Sequence, residues 1–548
     1  MAFYSDGRGF LFDGSSRSMT ASHSDDDEGL ARTLAITGRK YDSIPYTSIP
    51  FQRLQPSRMA ANAVLLGLRA PEVTTARTLE IGCASGGHII PLAATFPRAK
   101  FVGVDVSTAQ IADAHSRADR LRLENITFHA RSVTDIDGSW GEFDFIICHG
   151  VYSWVPDAVR EAIMHVCAER LTPDGIAAIS FNVLPGWRVF QAVRDTMVLH
   201  AGCEVDHEVR SARTRQMFEL MAMHSPETSS YGSIWRNEAG RMAEQPDAYL
   251  AHEVFEDDNA PCTFSAFAKA AARHGLAYLA ETRVRENMPE AGQAERARII
   301  RQLSGGELLA TEQYIDILTG RTFRESLLIH AQRAASADRS LAADRLAQLH
   351  LIAPLDLKSV TNADTGEFTL KDGDGNLAVM RDALIADALQ CLMERLPRST
   401  SLDDLAPPNA GNPEQCDRVA AALMALVLQG CLDVATAPVE CARDATDAPK
   451  AWPLVVEDAL SGAERSATRR HASFTITPTL RFLLPLLDGE RSRVDIAERL
   501  FDLARAGYVQ IADDKGVVTD LEQLRVVCLA TINRQIEILA RIGVLVEG

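Results

Sequence analysis

The sequence predicts an α/β protein, with a doubly wound parallel sheet first, a mostly helical domain next and two winged-helix-like modules at the end. Three observations carry this. Between Thr78 and Phe181, short apolar runs alternate with stretches of helical periodicity, the pattern of strands covered on both faces by crossover helices. After about residue 205 the strand signal fades while helical periodicity continues. Over roughly the last 200 residues, a plan of helix, short capped segment, long helix, glycine and strand occurs twice.

The totals fit several domains. A chain of 548 residues exceeds what one core supports, and an apolar content of 46% is ordinary for a globular protein. The formal net charge of −18 disfavours a long nucleic-acid groove. Ten cysteines are scattered without a CxxC pair, which favours reduced intracellular thiols over a metal site or disulfides. No apolar stretch approaches the roughly 18 residues of a membrane span, and Met1–Asp6 lacks the charged and apolar regions of a secretory signal. A cytoplasmic protein with no membrane span and no metal is expected.

Residues 1–37 read as a disordered leader, because Ser15–Glu28 is rich in Ser and Asp and offers little to bury. In Tyr41–Phe51 aromatics and prolines alternate, and the prolines favour an extended path. This segment is either a strap on the core or a lid over a ligand. Ser57–Leu68 has helical spacing (Met59, Val64, Leu65, Leu68) until Pro71 breaks it.

The alternation then begins. Leu79–Ile81 is a strand, Ile89–Phe96 a helix with Pro91 tolerable in its first turn, and Phe101–Asp105 a second strand. Helix Thr108–Leu121, strand Ile126–Ala130 and strand Phe143–His149 follow, the last nearly continuous in apolar residues. Helix Val159–Leu171 is stopped by Pro173-Asp174-Gly175, and Ile176–Phe181 is a fifth strand. Beyond residue 205, Val209–His224, Pro246–Glu253, Phe264–Gly275, Ala294–Leu303, Thr311–Thr319 and Phe323–Ala335 read as helices. Helices Ala383–Leu396 and Cys416–Gln429 belong to the first tail module; Thr479–Leu487 and Asp520–Arg541 belong to the second. Ala435–Lys450 is a linker candidate. The division expected is 1–37 leader, 38–205 sheet domain, 206–340 helical domain, and 341–440 and 441–548 as the two modules.

The chemistry concentrates at Glu80-Ile81-Gly82-Cys83-Ala84-Ser85-Gly86-Gly87-His88, a strand end, a glycine-rich turn and a helix start. Glycines let a ligand approach the backbone, and the helix start offers unpaired N–H groups. The spacing G-x-x-x-G-G departs from the G-x-G-x-x-G of dinucleotide sites, and no Lys-Ser/Thr follows as in a P-loop. A nucleoside ligand without phosphates suits it. Asp105 ends the second strand about 20 residues on, where an acid takes both ribose hydroxyls.

Glu80–Gly87 with Asp105 resembles the first two binding motifs of class I S-adenosylmethionine-dependent methyltransferases. The resemblance implies S-adenosyl-L-methionine as cofactor. The Gly82–Gly86 loop, with Gly82, Cys83, Ala84 and Gly86, would meet its methionine half and Asp105 would hold its ribose, with Glu80 and Val106 as further cofactor contacts. The adenine acid of that family falls at Ser132 here, a departure that leaves the Ser132 hydroxyl and the Val133 backbone to substitute. Further segments (Tyr41–Phe51, His149–Pro156, Asn182–Trp187 and Glu312–Asp316) resemble the bacterial methyltransferases with a methyltransferase regulatory domain, a group that includes rickettsial protein-lysine methyltransferases. That implies methyl transfer without fixing the acceptor.

Loops at the carboxyl ends of the strands face the ligand in a doubly wound sheet. His149 and Tyr152 are therefore the candidate catalytic residues, with His149 also a candidate cofactor contact. Tyr41, Tyr46, Trp154, Asn182 and Trp187 are candidate channel residues; packing roles remain open for Tyr152 and Trp154. In-line transfer needs alignment, exclusion of water and, for lysine, a neutral amine.

The acceptor expected is a protein lysine or a small molecule, and a homodimer stays open. A competing reading is a cofactor-sensing regulator whose winged helices bind DNA or protein. Arg465, Arg469, Arg470 and His471 form a basic cluster that would touch phosphates, against the plainer reading of a solvated charged face.

Overall fold

The computed structural model describes residues 23–202, 206–243, 245–256, 258–288, 294–361, 368–371, 377–405, 412–513 and 516–547. Its centre is a sheet of β1 (Arg77–Ile81), β2 (Lys100–Asp105), β3 (Ile126–Ala130), β4 (Phe143–Cys148) and β5 (Leu171–Leu184), all parallel. The helices α1 (His23–Ser43), α2 (Pro56–Leu65), α3 (Ile89–Thr95), α4 (Thr108–Arg120) and α5 (Asp157–Arg170) precede or connect these strands. Period-two alternation sends neighbouring side chains to opposite faces. Phe143, Ile146 and Cys148 join one core cluster, while Phe145 and Ile147 join the other.

Beyond β5 the chain leaves the sheet for α6 (Trp187–Ala201), α7 (His207–His224), α8 (Ser230–Ala243) and α9 (Asp247–Phe255). These helices enclose a core of their own around Trp187, Phe190, Phe218, Trp235 and Leu250. The chain then returns through β6 (Cys262–Thr263), which pairs with β5, and α10 (Phe264–Arg273) to β7 (Leu276–Glu281). After α11 (Ala294–Ser304) and α12 (Leu308–Thr319) it enters β8 (Phe323–His330). The sheet order is β3-β2-β1-β4-β5-β8-β7, with β8 antiparallel to both its neighbours.

The sheet thus gains strands from the stretch expected to be helical. Phe323–Ala335, read as a helix, is the strand β8 as far as His330. Its polar residues Arg324, Glu325 and Ser326 are all buried. Arg324 Nη1 lies 3.0 Å from Glu312 Oε2, its Nη2 2.8 Å from Asp316 Oδ1, and Glu281 also holds it. Buried charges occur when paired in this way. β7, LAYLAE, is built of helix-favouring residues and becomes a strand because β8 pairs with it, a tertiary override of propensity.

Further expectations change. Of the disordered leader, residues 1–22 lie outside the described residues, whereas 23–37 are part of α1. Leu30 and Leu34 of α1 pack against the sheet core, and the Asp42 carboxylate accepts from Ser107 Oγ (2.6 Å) and the Ala109 N–H (3.1 Å) at the start of α4. Tertiary contact supplies what composition lacks, and Tyr41 is helical rather than extended. The supposed linker, Ala435–Lys450, is packed: Ala437, Val439, Cys441 and Ala442 are buried, and the Ala442 N–H donates to the Leu545 carbonyl. Pro173-Asp174-Gly175 lies inside β5, which starts directly where α5 ends.

The tail places helices at 383–394 and 413–429 beside a three-stranded antiparallel sheet of 350–352, 400–401 and 433–435. Its second part carries helices 453–460, 478–483, 493–505 and 521–541, with a strand pair 450–451 and 545–546 and a hairpin at 465–475. This part docks on the sheet domain. Asp458, 1% exposed, receives two 2.8 Å hydrogen bonds from the Arg117 guanidinium of α4, and both parts share one core cluster. Among the described residues no helix is long and apolar enough to cross a membrane.

Candidate functional site

Strand order reverses between β1 and β4, and the site lies at the carboxyl ends of those strands, as expected of a doubly wound sheet. The glycine turn is fixed by its surroundings. Gly82 has a φ of 75°, a left-handed value that costs glycine nothing. The N–H groups of Gly82 and Cys83 donate to the Val104 carbonyl at 2.8 and 3.1 Å, tying the turn to β2. The Gly87 N–H donates to Ser48 Oγ at 2.7 Å, and a Cβ at Gly87 would run into the Ser48 carbonyl. The segment 44–51 therefore lies directly on the turn and acts as its strap.

Asp105 closes the same knot. One carboxylate oxygen accepts from the Ala84 N–H and the other from the Ser107 N–H, both at 2.9 Å. Burial raises its pKa nonetheless, with the backbone donors opposing. Glu80 is held well above the usual carboxylate range by burial and then by Asp105, and its Oε2 has no hydrogen-bond partner. Both carboxylates border a cavity of about 450 Å³.

Gly82, Cys83, Ala84, Val106, Ser132, Val133 and His149 also line this cavity. Gly86 does not; its φ of 75° shapes the turn, and Ile90 and Phe128 lie against it. The hydroxyl of Ser132 caps a short turn, accepting from the Thr134 N–H at 3.2 Å, while the Ser132 N–H donates to Asp135. Leu34 and Thr37 of α1 close this end of the cavity.

The loop after β4 divides. His149 lies in the cavity wall, its ring centroid 4.0 Å from that of Phe51. Burial, with Arg53 nearby, pushes its pKa down to about 3, so the ring is neutral and a weak base. Tyr152 points away. It is 5% exposed, meets Phe267 edge-on at 5.5 Å and belongs to the sheet core, so the expectation of a catalytic Tyr152 is corrected. The apolar layer between the sheet and α10 offers an aromatic ring a larger contact area than the loop does.

The channel residues do come together. Tyr41, Tyr46, Trp154, Asn182 and Trp187 all line the same cavity. Trp154 and Trp187 meet edge to face at 6.1 Å, and Trp187 Nε1 donates to Asn259 Oδ1 at 3.2 Å. Tyr41 stacks on His252 with centroids 4.5 Å apart. Arg241 of α8 and Tyr249, His252 and Glu253 of α9 complete the wall, and sequence reasoning missed all four. Helical periodicity reveals the helix at 246–253 but not α8, and nothing local says which face turns back to the sheet.

The residues present fit a cofactor with a charged amino-acid end. Six buried polar atoms on lining residues lack hydrogen-bond partners: Glu80 Oε2, His88 Nε2, Gln110 Oε1, His149 Nδ1, Asn182 Nδ2 and His252 Nδ1. Such orphans call for a ligand that supplies both donors and acceptors. His88 itself is held from behind by the tail. Its Nδ1 accepts from the Phe51 N–H at 3.1 Å, so the 2.9 Å contact from His471 Nε2 is a second donor to the same lone pair. The basic cluster expected at 465–471 is therefore neither a solvated face nor a phosphate site at its centre. Arg470 and His471 are 4% and 2% exposed, and Arg470 donates to the carbonyls of Pro397 and Ala353.

Three family models match the chain: "Methyltransferase domain" over 78–175, "Predicted methyltransferase regulatory domain" over 246–330, and "PKMT, C-terminal winged helix domain" over 447–544. An uncharacterized protein of Rickettsia prowazekii is 32% identical over 506 residues, covering 88% of this chain and 90% of that protein. The trans-aconitate 2-methyltransferase of Deinococcus radiodurans is 30% identical over 109 residues, 20% of this chain and 39% of that enzyme. Among solved structures, PKMT2 from Rickettsia typhi in complex with AdoHcy superposes with a TM-score of 0.80 at 25% identity, covering 92% of this chain and 100% of that one. The chain belongs to the bacterial class I methyltransferases with a methyltransferase regulatory domain and a C-terminal winged helix, and S-adenosylmethionine is its methyl donor.

Proposed function

We propose that the methyl acceptor is a lysine side chain of a protein. The observation that carries this is the lining of a single cavity. Glu80, the glycine turn and Asp105 share it with Tyr41, Tyr46, Trp154, Trp187 and Tyr249 and with Glu253. Aromatic walls beside a carboxylate suit an alkyl chain that ends in a cation. The likeness to PKMT2 supports the same reading.

In this reading Glu80, Gly82, Cys83, Ala84, Asp105, Val106, Ser132 and Val133 hold the cofactor, which supplies an activated methyl group. The chain's own task is to align the amine and exclude water. His149, neutral, borders the reacting end as a wall residue. Asn182, buried with a free Nδ2, orients the acceptor. We place the protein in the cytoplasm, in keeping with free cysteines throughout the described residues. A homodimer would cover Leu199, Leu220 and Met223, which stand exposed on α6 and α7.

The test is transfer of labelled methyl from S-adenosylmethionine into a cell lysate, then acid hydrolysis and amino-acid analysis. Label recovered as methylated lysine supports the proposal. Label confined to small molecules or to other residues overturns it.

A further inference from the structure

The acceptor chamber contains one carboxylate without a counter-ion. Glu253 lies on α9 and lines the cavity, and among the described residues its carboxylate takes no hydrogen bond and no ion pair. The charged and titratable groups that face it are Arg241 and Glu238 of α8, Arg194 of α6, Tyr41 and Tyr46 from the α1 end of the strap, and its own neighbour Tyr249. Neither cation closes on the carboxylate. Arg241 donates to Glu238 at 2.9 and 2.7 Å, and Arg194 turns one N–H to the Glu256 carbonyl and acts on Glu253 only through space. An acid left this way in a partly desolvated chamber is a place for a cation from outside.

We propose that Glu253 is the acceptor-binding carboxylate, pairing with the incoming alkylammonium and taking its proton. This rests on the lysine reading above and deepens it. The step balances as follows. The ammonium gives a proton to the Glu253 carboxylate, leaving a neutral amine and a carboxylic acid. The amine lone pair then forms the N–C bond to the methyl carbon as the C–S bond breaks, and that electron pair stays on sulfur. The products are a methylammonium and a thioether, and the Glu253 proton returns to solvent.

The other polar groups are less suited to this role. His149, pushed down to about 3, holds a proton poorly. Glu80 and Asp105 are tied to the glycine turn that holds the cofactor, Asp105 by the Ala84 and Ser107 N–H groups, and burial keeps the Tyr41 and Tyr46 phenols protonated. Burial raises Glu253 to about 7, with Arg241 opposing, which matches a proton acceptor to neutral pH. Removing the Arg241 charge must raise it further.

The experiment uses the full chain saturated with S-adenosylhomocysteine and n-butylammonium chloride as the probe, read by calorimetry between pH 6 and 9. Wild type is expected to bind the probe, and to lose it as the pH falls through about 7 and Glu253 is protonated. Glu253→Gln is expected to weaken the probe by about tenfold or more while keeping its affinity for S-adenosylhomocysteine. Equal probe affinity in Glu253→Gln overturns the role of Glu253 alone. Failure of wild type to bind the probe overturns the lysine reading and this role together. Should Glu253→Gln lose S-adenosylhomocysteine as well, Arg241→Met decides. Its acidic limb of probe binding must move to higher pH, and an unmoved limb overturns the proposal.

Discussion

Replacing Glu80 by Gln tests the cofactor half of the site most sharply, because it should move stability and binding in opposite directions. The Glu80 carboxylate is buried, borders the cavity and leaves Oε2 without a partner. Burial and the neighbouring Asp105 hold its pKa well above the model-compound value of 4.5. The sign follows from linkage. Between 4.5 and the raised folded value the native state binds more protons than the unfolded one, so stability is fully present below 4.5 and falls as pH rises through the folded pKa. Above pH 4.5 the ligand-free protein must either keep this group protonated or bury it ionised and unpaired, and an isosteric amide removes that penalty, about 1 kcal/mol or more. In the proposed reading, the bound cofactor's ammonium is the partner this carboxylate lacks. A hydrogen bond to a charged group is worth about 1.5–3 kcal/mol, so Glu80→Gln should weaken S-adenosylhomocysteine by about 10- to 150-fold. Thermal melts with and without S-adenosylhomocysteine, with calorimetric titration, read both effects. The variant melts higher alone, and less of its stability comes from ligand. A variant that melts lower alone and binds with wild-type affinity would refute the reasoning.

Three more predictions are independent of that one. Arg324→Met strands Glu281, Glu312 and Asp316 without their common cation and should cost about 3–5 kcal/mol, read as the shift in urea midpoint; an unchanged midpoint would mean the network adds nothing. Tyr152→Phe leaves turnover and S-adenosylhomocysteine affinity unchanged, whereas Tyr152→Ala costs about 3–5 kcal/mol in the same denaturation, and a turnover defect in Tyr152→Phe would restore the residue to the site. His471→Ala removes a buried ring 2.9 Å from His88 and should weaken S-adenosylhomocysteine severalfold as well as lowering the melting point; wild-type affinity in a folded variant would show that the tail does not support the cofactor turn.

Legibility in the sequence varied with how local the information was. The turn Glu80–His88 and Asp105 could be read because spacing, glycine and a strand-end acid lie within one β-α-β unit. Tyr41, Tyr46, Trp154, Asn182 and Trp187 were legible only as aromatic or polar residues near strand ends, and all five reach the cavity. Tyr152, two residues from Trp154, gave the same signal and faces the core, because one turn of backbone decides between the two directions. Arg241, Tyr249 and Glu253 gave no signal, since a helix pattern reveals a periodicity and not the neighbour it faces.

The sequence by itself determined the parallel β1–β5 sheet, the glycine turn with its strand-end acids, and the kind of cofactor that suits them. These follow from short-range sterics and from apolar runs that no other arrangement buries. The tertiary structure decided the rest. β7 and β8 became strands because Arg324 of β8 pairs with Glu281 of β7, 43 residues away, beside Glu312 and Asp316 of α12. Residues 23–37 of the expected leader became part of a helix over the cofactor site because Leu30, Leu34 and Asp42 met the sheet core and α4. The tail reached the cofactor turn because His471 and Asp458 were buried against His88 and Arg117. Each of these depends on pairing between residues far apart in sequence, and the free energy of such a pair exists only once both partners are buried together.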